Sequence, residues 1–121
     1  MKIGFTGHRD KVAHELSLLN IERRYPGATW VHGGAEGFDS QVDALARKLG
    51  KVEGDTLLVI LPNYRKFKST VAPLIRNEQI VGMSDLLVAL WDGRKKGGTF
   101  YTINYAKRCN IPVEYITPLG G

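Results

Sequence analysis

The sequence predicts a Rossmann-like three-layer α/β/α sandwich around a five-stranded parallel sheet, with the probable strand order 3-2-1-4-5. Three observations carry this. Short β-prone runs alternate with helix-patterned segments along the chain. Two of the runs, TLLVIL at 56–61 and LLVALW at 86–91, are almost wholly apolar, as strands covered on both faces are. The connections are short, and no repeat, low-complexity tract or linker interrupts them. At 121 residues the chain reads as one domain, 1–121, with a single core.

Residues 2–6, KIGFT, form the first expected strand, ending at Gly7-His8-Arg9-Asp10. Asp10 is the expected N-cap of a helix over 11–24, with Val12, Leu16 and Leu19 on its apolar stripe. Pro26-Gly27 ends it, and a strand over 29–32 follows. A second helix over 38–49 shows the clearest pattern, with Phe38, Val42, Leu45, Ala46 and Leu49 on one face. The third strand, 56–61, stops at Pro62. After a basic loop comes a helix over 72–83, with Pro73 in its first turn. The fourth strand, 86–91, leads into the polar loop DGRKKGG. Thr99 is expected to cap a last helix over 100–109, with Phe100, Ile103 and Ala106 inward. A final strand spans 113–117.

Bulk properties narrow the function classes. No apolar run approaches the roughly 20 residues that span a bilayer, and MKIGFTGHRD has no signal-peptide core, so a cytoplasmic location without membrane contact is expected. Cys109 is the only cysteine, which excludes an internal disulfide. The three histidines, His8, His14 and His32, lack metal-ligand spacing; neither a metal nor a cofactor is expected. Lys and Arg total 17 against 12 Asp and Glu, a net charge of +5 concentrated in YRKFK (64–68) and RKK (94–96). Such an excess suits an anionic small molecule or nucleic acid and does not choose between them.

Ligands of doubly wound sheets bind beyond the carboxyl ends of the strands, at the switch point. The unusual residues of this chain fall at those ends. Gly33, Gly34, Ala35 and Gly37, followed by a helix start, are expected to present backbone N–H groups to a phosphate or carboxylate. The loop is neither G-x-G-x-x-G nor a P-loop. Asp39 reads as a helix-start carboxylate, with ribose or base recognition or a catalytic role as alternatives. Gly97, Gly98 and Thr99 form a second strand–loop–helix anion site beside Lys95 and Lys96. Arg9 is a candidate phosphate clamp, and His8 a candidate stacking or hydrogen-bonding group. Pro62, Asp92, Arg76 and Asn77 complete the set, with Arg76-Asn77 also readable as a surface pair. Tyr64, Arg65, Phe67 and Lys68 interleave aromatics with cations, as single-strand binders do. With two strands between the loops after strands 3 and 4, about 14 Å at the usual spacing, a monomer is expected to present two separate basic patches.

Four patches carry a resemblance: Gly7-His8-Arg9; the run from Gly33 to Asp39; Arg76-Asn77 with Ser84-Asp85; and Trp91-Asp92-Gly93 through Gly97-Gly98-Thr99 and Thr102. In this order they resemble the SMF/DprA–LOG (SLOG) superfamily of Rossmann-like nucleotide-binding proteins. The nearest likeness is to its small stand-alone YspA/YpsA-like and YAcAr-type members of bacteria and phages. The resemblance implies a nucleotide or nucleotide-derived ligand and self-association into a homo-oligomer. The LOG enzymes, which cleave a nucleotide's N-glycosidic bond, carry P-G-G-x-G-T-x-x-E, and Thr102 stands at the position of the catalytic Glu. The resemblance therefore points to a binding or sensing module rather than an enzyme. The alternative is a nucleoside-monophosphate N-glycosidase using Glu36, Asp39 or Asp92. A second alternative is single-stranded nucleic-acid binding of the DprA type.

Overall fold

A computed structural model describes residues 1–120 of the chain. Its elements are β1 (Lys2–Gly7), α1 (Glu15–Arg24), β2 (Thr29–His32), α2 (Phe38–Lys48), β3 (Leu57–Val59), α3 (Ala72–Met83), β4 (Leu86–Leu90), α4 (Gly97–Arg108) and β5 (Val113–Ile116). All strands pair in parallel, in the order β3-β2-β1-β4-β5. The fold is the Rossmann-like α/β arrangement the alternating pattern predicts.

The pleat sorts the core into two layers. Ile3 and Phe5 of β1, Trp30 of β2, and Leu86, Val88 and Leu90 of β4 face one side. There they pack with Leu18 and Ile21 of α1 and with Phe38, Val42, Leu45 and Ala46 of α2. Leu87 faces the other side, with Val81 of α3 and Ala106 of α4. β4 lies inside the sheet and every one of its residues is buried. Phe5 and Trp30 pack in a tilted arrangement, with ring centroids 4.8 Å apart, in the larger layer. Among the described residues, no helix is long and apolar enough to cross a membrane.

Four expectations need correction. First, α1 begins at Glu15 rather than at residue 11, Asp10 does not cap it, and its buried face is Leu18 and Ile21. Leu16 is 76% exposed and Val12 40%. A distant contact holds the preceding segment extended: Gln41 takes both the N–H and the carbonyl of Ala13, at 2.8 and 2.6 Å. Ala13 also bridges to Pro118. Second, β3 shrinks to Leu57–Val59 and only Leu57 is fully buried, because it forms an edge of the sheet. Third, Leu49 lies beyond the end of α2 and is 38% exposed. Fourth, α4 starts at Gly97, with Lys96 at the N-cap position, so Thr99 lies inside the first turn and is not the cap.

Two glycines of β1 set how closely helices approach the sheet. A Cβ at Gly4 would stand 2.4 Å from Ser84 Oγ, and one at Gly7 would stand 2.4 Å from the Phe38 ring. Gly82, exposed in α3, has nothing within 4 Å of its Cβ position. Gly7→Ala is expected to lower the unfolding free energy by about 1–3 kcal/mol through overpacking. Gly82→Ala is expected to raise it by about 0.5 kcal/mol through helix propensity. Urea titrations of the two variants check this contrast.

Candidate functional site

The carboxyl ends of β1, β2, β3 and β4 open on a cleft of about 670 Å³. It sits over the switch point between β1 and β4, where successive crossovers leave the sheet on opposite faces. The loop after β1 brings Gly7, His8 and Arg9, and the loop after β2 brings Gly33, Gly34, Ala35 and Glu36. Asp39 joins from α2, Pro62 from the loop after β3, and Arg76 and Asn77 from α3. Gly97, Gly98 and Thr99 of α4 close the far side.

Three expected residues do not line the cleft. Gly37 lies behind it, where a Cβ would stand 2.2 Å from the Arg9 carbonyl, so this glycine is needed for the loop after β1 to press on α2. Its φ of +72° is a further demand for glycine. Thr102 is 1% exposed and its hydroxyl donates to the Gly98 carbonyl at 2.7 Å. Asp92 is turned to Arg94, whose Nε donates to its two oxygens at 3.0 and 2.9 Å. Conversely, the cleft takes in Tyr64, Arg94 and Lys96 from the two basic runs, and also Pro73 and Leu74, which no ligand motif singles out. Pro73 and Leu74 open the helix after β3, and a helix start facing the strand ends is the one signal that marks them. Tyr64, from the loop after β3, and Lys96, from the loop after β4, border the same cleft, whereas Arg65, Phe67 and Lys68 do not line it.

The glycine loop is not an open anion cradle. Asp39 Oδ2 accepts the N–H groups of Gly33 and Ala35, both at 3.2 Å. His32 Nδ1 accepts the N–H of Gly34 at 2.9 Å. Phe38 N–H is directed to the His8 carbonyl at 3.4 Å. Of the amides that the sequence assigns to a ligand, those of Gly33, Gly34 and Ala35 are thus engaged within the chain. The first turn of α4 has no side-chain cap either, like the other three helices, and as at any helix start its leading N–H groups have no intrahelical acceptor.

The charged groups divide sharply. Burial pushes the Asp39 carboxyl up, against the smaller pulls of His32, the Ala35 amide and Arg76. Its Oδ1 is buried and has no hydrogen-bond partner. Arg94 holds the Asp92 carboxyl well below the usual range. Burial, reinforced by Arg94, pushes the His8 imidazole down. His8 Nε2 accepts the Asp92 N–H at 3.2 Å, which ties the β1 exit to the β4 exit. Arg76 is 8% exposed; its Nη1 donates to the Gly33 carbonyl and its Nε to Asn77 Oδ1 at 2.8 Å. Burial pulls its guanidinium down and Asp39 opposes this. Among the described residues, no carboxylate lies within 4.0 Å of Arg76.

The raised Asp39 carboxyl has a defined effect on stability. Its contribution is full below the unfolded carboxylate pKa, near 4, and is lost as pH rises through the higher folded value. Asp39→Asn keeps an acceptor for the two amides and removes the buried charge. At neutral pH its unfolding free energy should equal or exceed that of the wild type, with the difference closing at about pH 3–4. Asp39→Ala leaves both amides unpaired and should lose about 1–3 kcal/mol. Urea unfolding across pH measures both.

No family model, curated protein or solved structure matches the chain.

Proposed function

We propose that the protein binds a nucleotide or nucleotide-derived anion in this cleft, as a binding or sensing module. One observation carries the reading: Arg76 is a buried cation on the cleft lining without a carboxylate partner. A buried charge is costly unless paired. The contrast with the other buried cation is direct. Lys51, 7% exposed, pairs with Glu22 at 2.7 Å and donates to the Ala28 carbonyl at 2.6 Å. Arg76 would find its counter-charge in a ligand anion, beside the uncapped N-terminus of α4 and within a cleft that Arg9 and Lys96 also line.

The volume of about 670 Å³ lies in the usual range for small-ligand sites, roughly 300–1,000 Å³. Tyr64, Pro62, Pro73 and Leu74 supply apolar surface for a base or sugar. The patches that resemble the SMF/DprA–LOG superfamily reach the cleft through Gly7, Gly33, Arg76 and Gly97, which supports counting the chain among its small members. Hydrolysis has less support. Asp92 is paired with Arg94 and Oδ2 of Asp39 is occupied by two amides; of the two exposed candidates, Glu36 and Asp92, only Glu36 has no ion pair among the described residues.

A thermal-shift panel tests the reading, covering inorganic phosphate, nucleoside mono- and diphosphates, dinucleotides, cyclic nucleotides and ADP-ribose species. At least one nucleotide should raise the melting temperature by mass action. Arg76→Met should abolish that shift; since it also removes the donor to the Gly33 carbonyl and to Asn77, urea unfolding of the ligand-free variant is measured alongside to show that it is folded. A flat response across the panel would sink the proposal. Chromatography of the same mixtures detects free base if the N-glycosidase alternative holds.

A second reading draws on the meeting of Tyr64 and Lys96 at one cleft. An oligonucleotide crossing there would meet cations on both sides and an exposed aromatic ring. Gel-shift titrations should then show binding that survives physiological salt, with a log–log salt slope near −0.7 per phosphate neutralised. Tyr64→Ala should weaken it by about 1–3 kcal/mol.

A further inference from the structure

His32 closes β2, is 2% exposed, and is held at both ring nitrogens. Nδ1 accepts the Gly34 N–H at 2.9 Å, and Nε2 stands 2.8 Å from Asp43 Oδ1. An N–H can bond to a ring nitrogen only through its lone pair, so Nδ1 carries no proton and Nε2–H donates to the carboxylate. These contacts select one neutral tautomer. Asp43 is fixed in turn by Arg47 Nε at 2.8 Å, and Arg47 reaches Glu53 at 2.5 Å. Asp39, also on α2, adds a second negative charge that interacts with the ring. From α3, Arg76 touches the adjacent Gly33 carbonyl, and the neighbouring strand β3 brings the uncharged Val59.

We propose that His32 is a proton-operated latch on the cleft wall: protonation of Nδ1 releases the Gly34 amide and lets the Gly33–Gly34 peptide unit turn, while Asp39 keeps its hold on the Gly33 and Ala35 amides. A proton on Nδ1 sets two donors against each other at a separation of 2.9 Å. The charged ring keeps its attraction to Asp43 and Asp39, so the amide gives way and the ring stays. Gly34, at φ +70° and without a side chain, can change backbone conformation readily. Its displacement shifts the Gly33 carbonyl, which is the acceptor for Arg76 Nη1. Acid thereby reaches the buried cation of the cleft through consecutive contacts. The latch acts in the ligand-free protein and is independent of the nucleotide reading.

Nuclear magnetic resonance of the whole chain tests this between about pH 8 and pH 5, the interval in which histidines titrate. Long-range ring correlations report tautomer and protonation, and amide hydrogen exchange reports Gly34. The neutral ring should carry its proton on Nε2. Ring protonation and the Gly34 amide shift should share a midpoint, and Gly34 protection should fall about tenfold or more, the equivalent of one net hydrogen bond. His32→Asn retains an acceptor near the Nδ1 position and cannot titrate, so its Gly34 amide should stay protected at every pH. The proposal is overturned by a neutral ring with its proton on Nδ1, or by a ring that stays neutral down to about pH 5. It is equally overturned if the ring protonates with no response at Gly34, or if Gly34 responds identically in His32→Asn. The wild-type titration decides the matter even if the variant does not fold.

Discussion

The grip of the buried Asp39 carboxylate on the Gly33 and Ala35 amides shapes the cleft at the carboxyl ends of the strands. It closes the turn between β2 and α2 on itself, while burial makes the charge costly and pushes its titration up. The turn in turn aims the Gly33 carbonyl at Arg76. On its other side, Gly37 lets α2 press on the loop after β1, and Gly7 makes room beneath Phe38. One carboxylate and two missing side chains thus bring the exits of β1 and β2 into a single wall.

That closed turn moves the electrostatic centre of the cleft. Amides already bonded inside the chain are poor anion ligands, so the positive potential comes from Arg76 and from the uncapped start of α4. The protein tolerates one buried cation with internal compensation, Lys51, at the opposite end of the sheet. Arg76 has carbonyl and amide acceptors but, among the described residues, no carboxylate within 4.0 Å. The tie from His8 to the Asp92 amide joins β1 to β4 across the switch point, so the floor of the cleft is set by the two central strands.

The order of strands and helices, the parallel sheet and the clustering of unusual residues at the strand ends were all legible in the sequence. Hydrophobic periodicity is a local property, and the apolar run at β4 reports burial without knowledge of any partner. The face of α2 is likewise written in the spacing of Phe38, Val42, Leu45 and Ala46. Periodicity misled where a distant contact intervened: Gln41 and Pro118 hold Ala13 extended and move the start of α1. It also misjudged β3, whose apolar composition does not reveal that it ends the sheet.

The distribution of hydrogen bonds and charges was decided by tertiary structure alone. Glycine spacing marks a loop that can approach an anion, but it does not reveal that Asp39 and His32 already occupy the amides. Nothing in the spacing of His32 and Asp43 announces their contact, since it depends on how the end of β2 lies against the middle of α2. Nor does sequence distinguish Arg76 on a helix surface from Arg76 buried without a carboxylate. That difference depends on which side chains from three other segments reach it, and a pairwise contact between distant residues leaves no periodic trace in the chain.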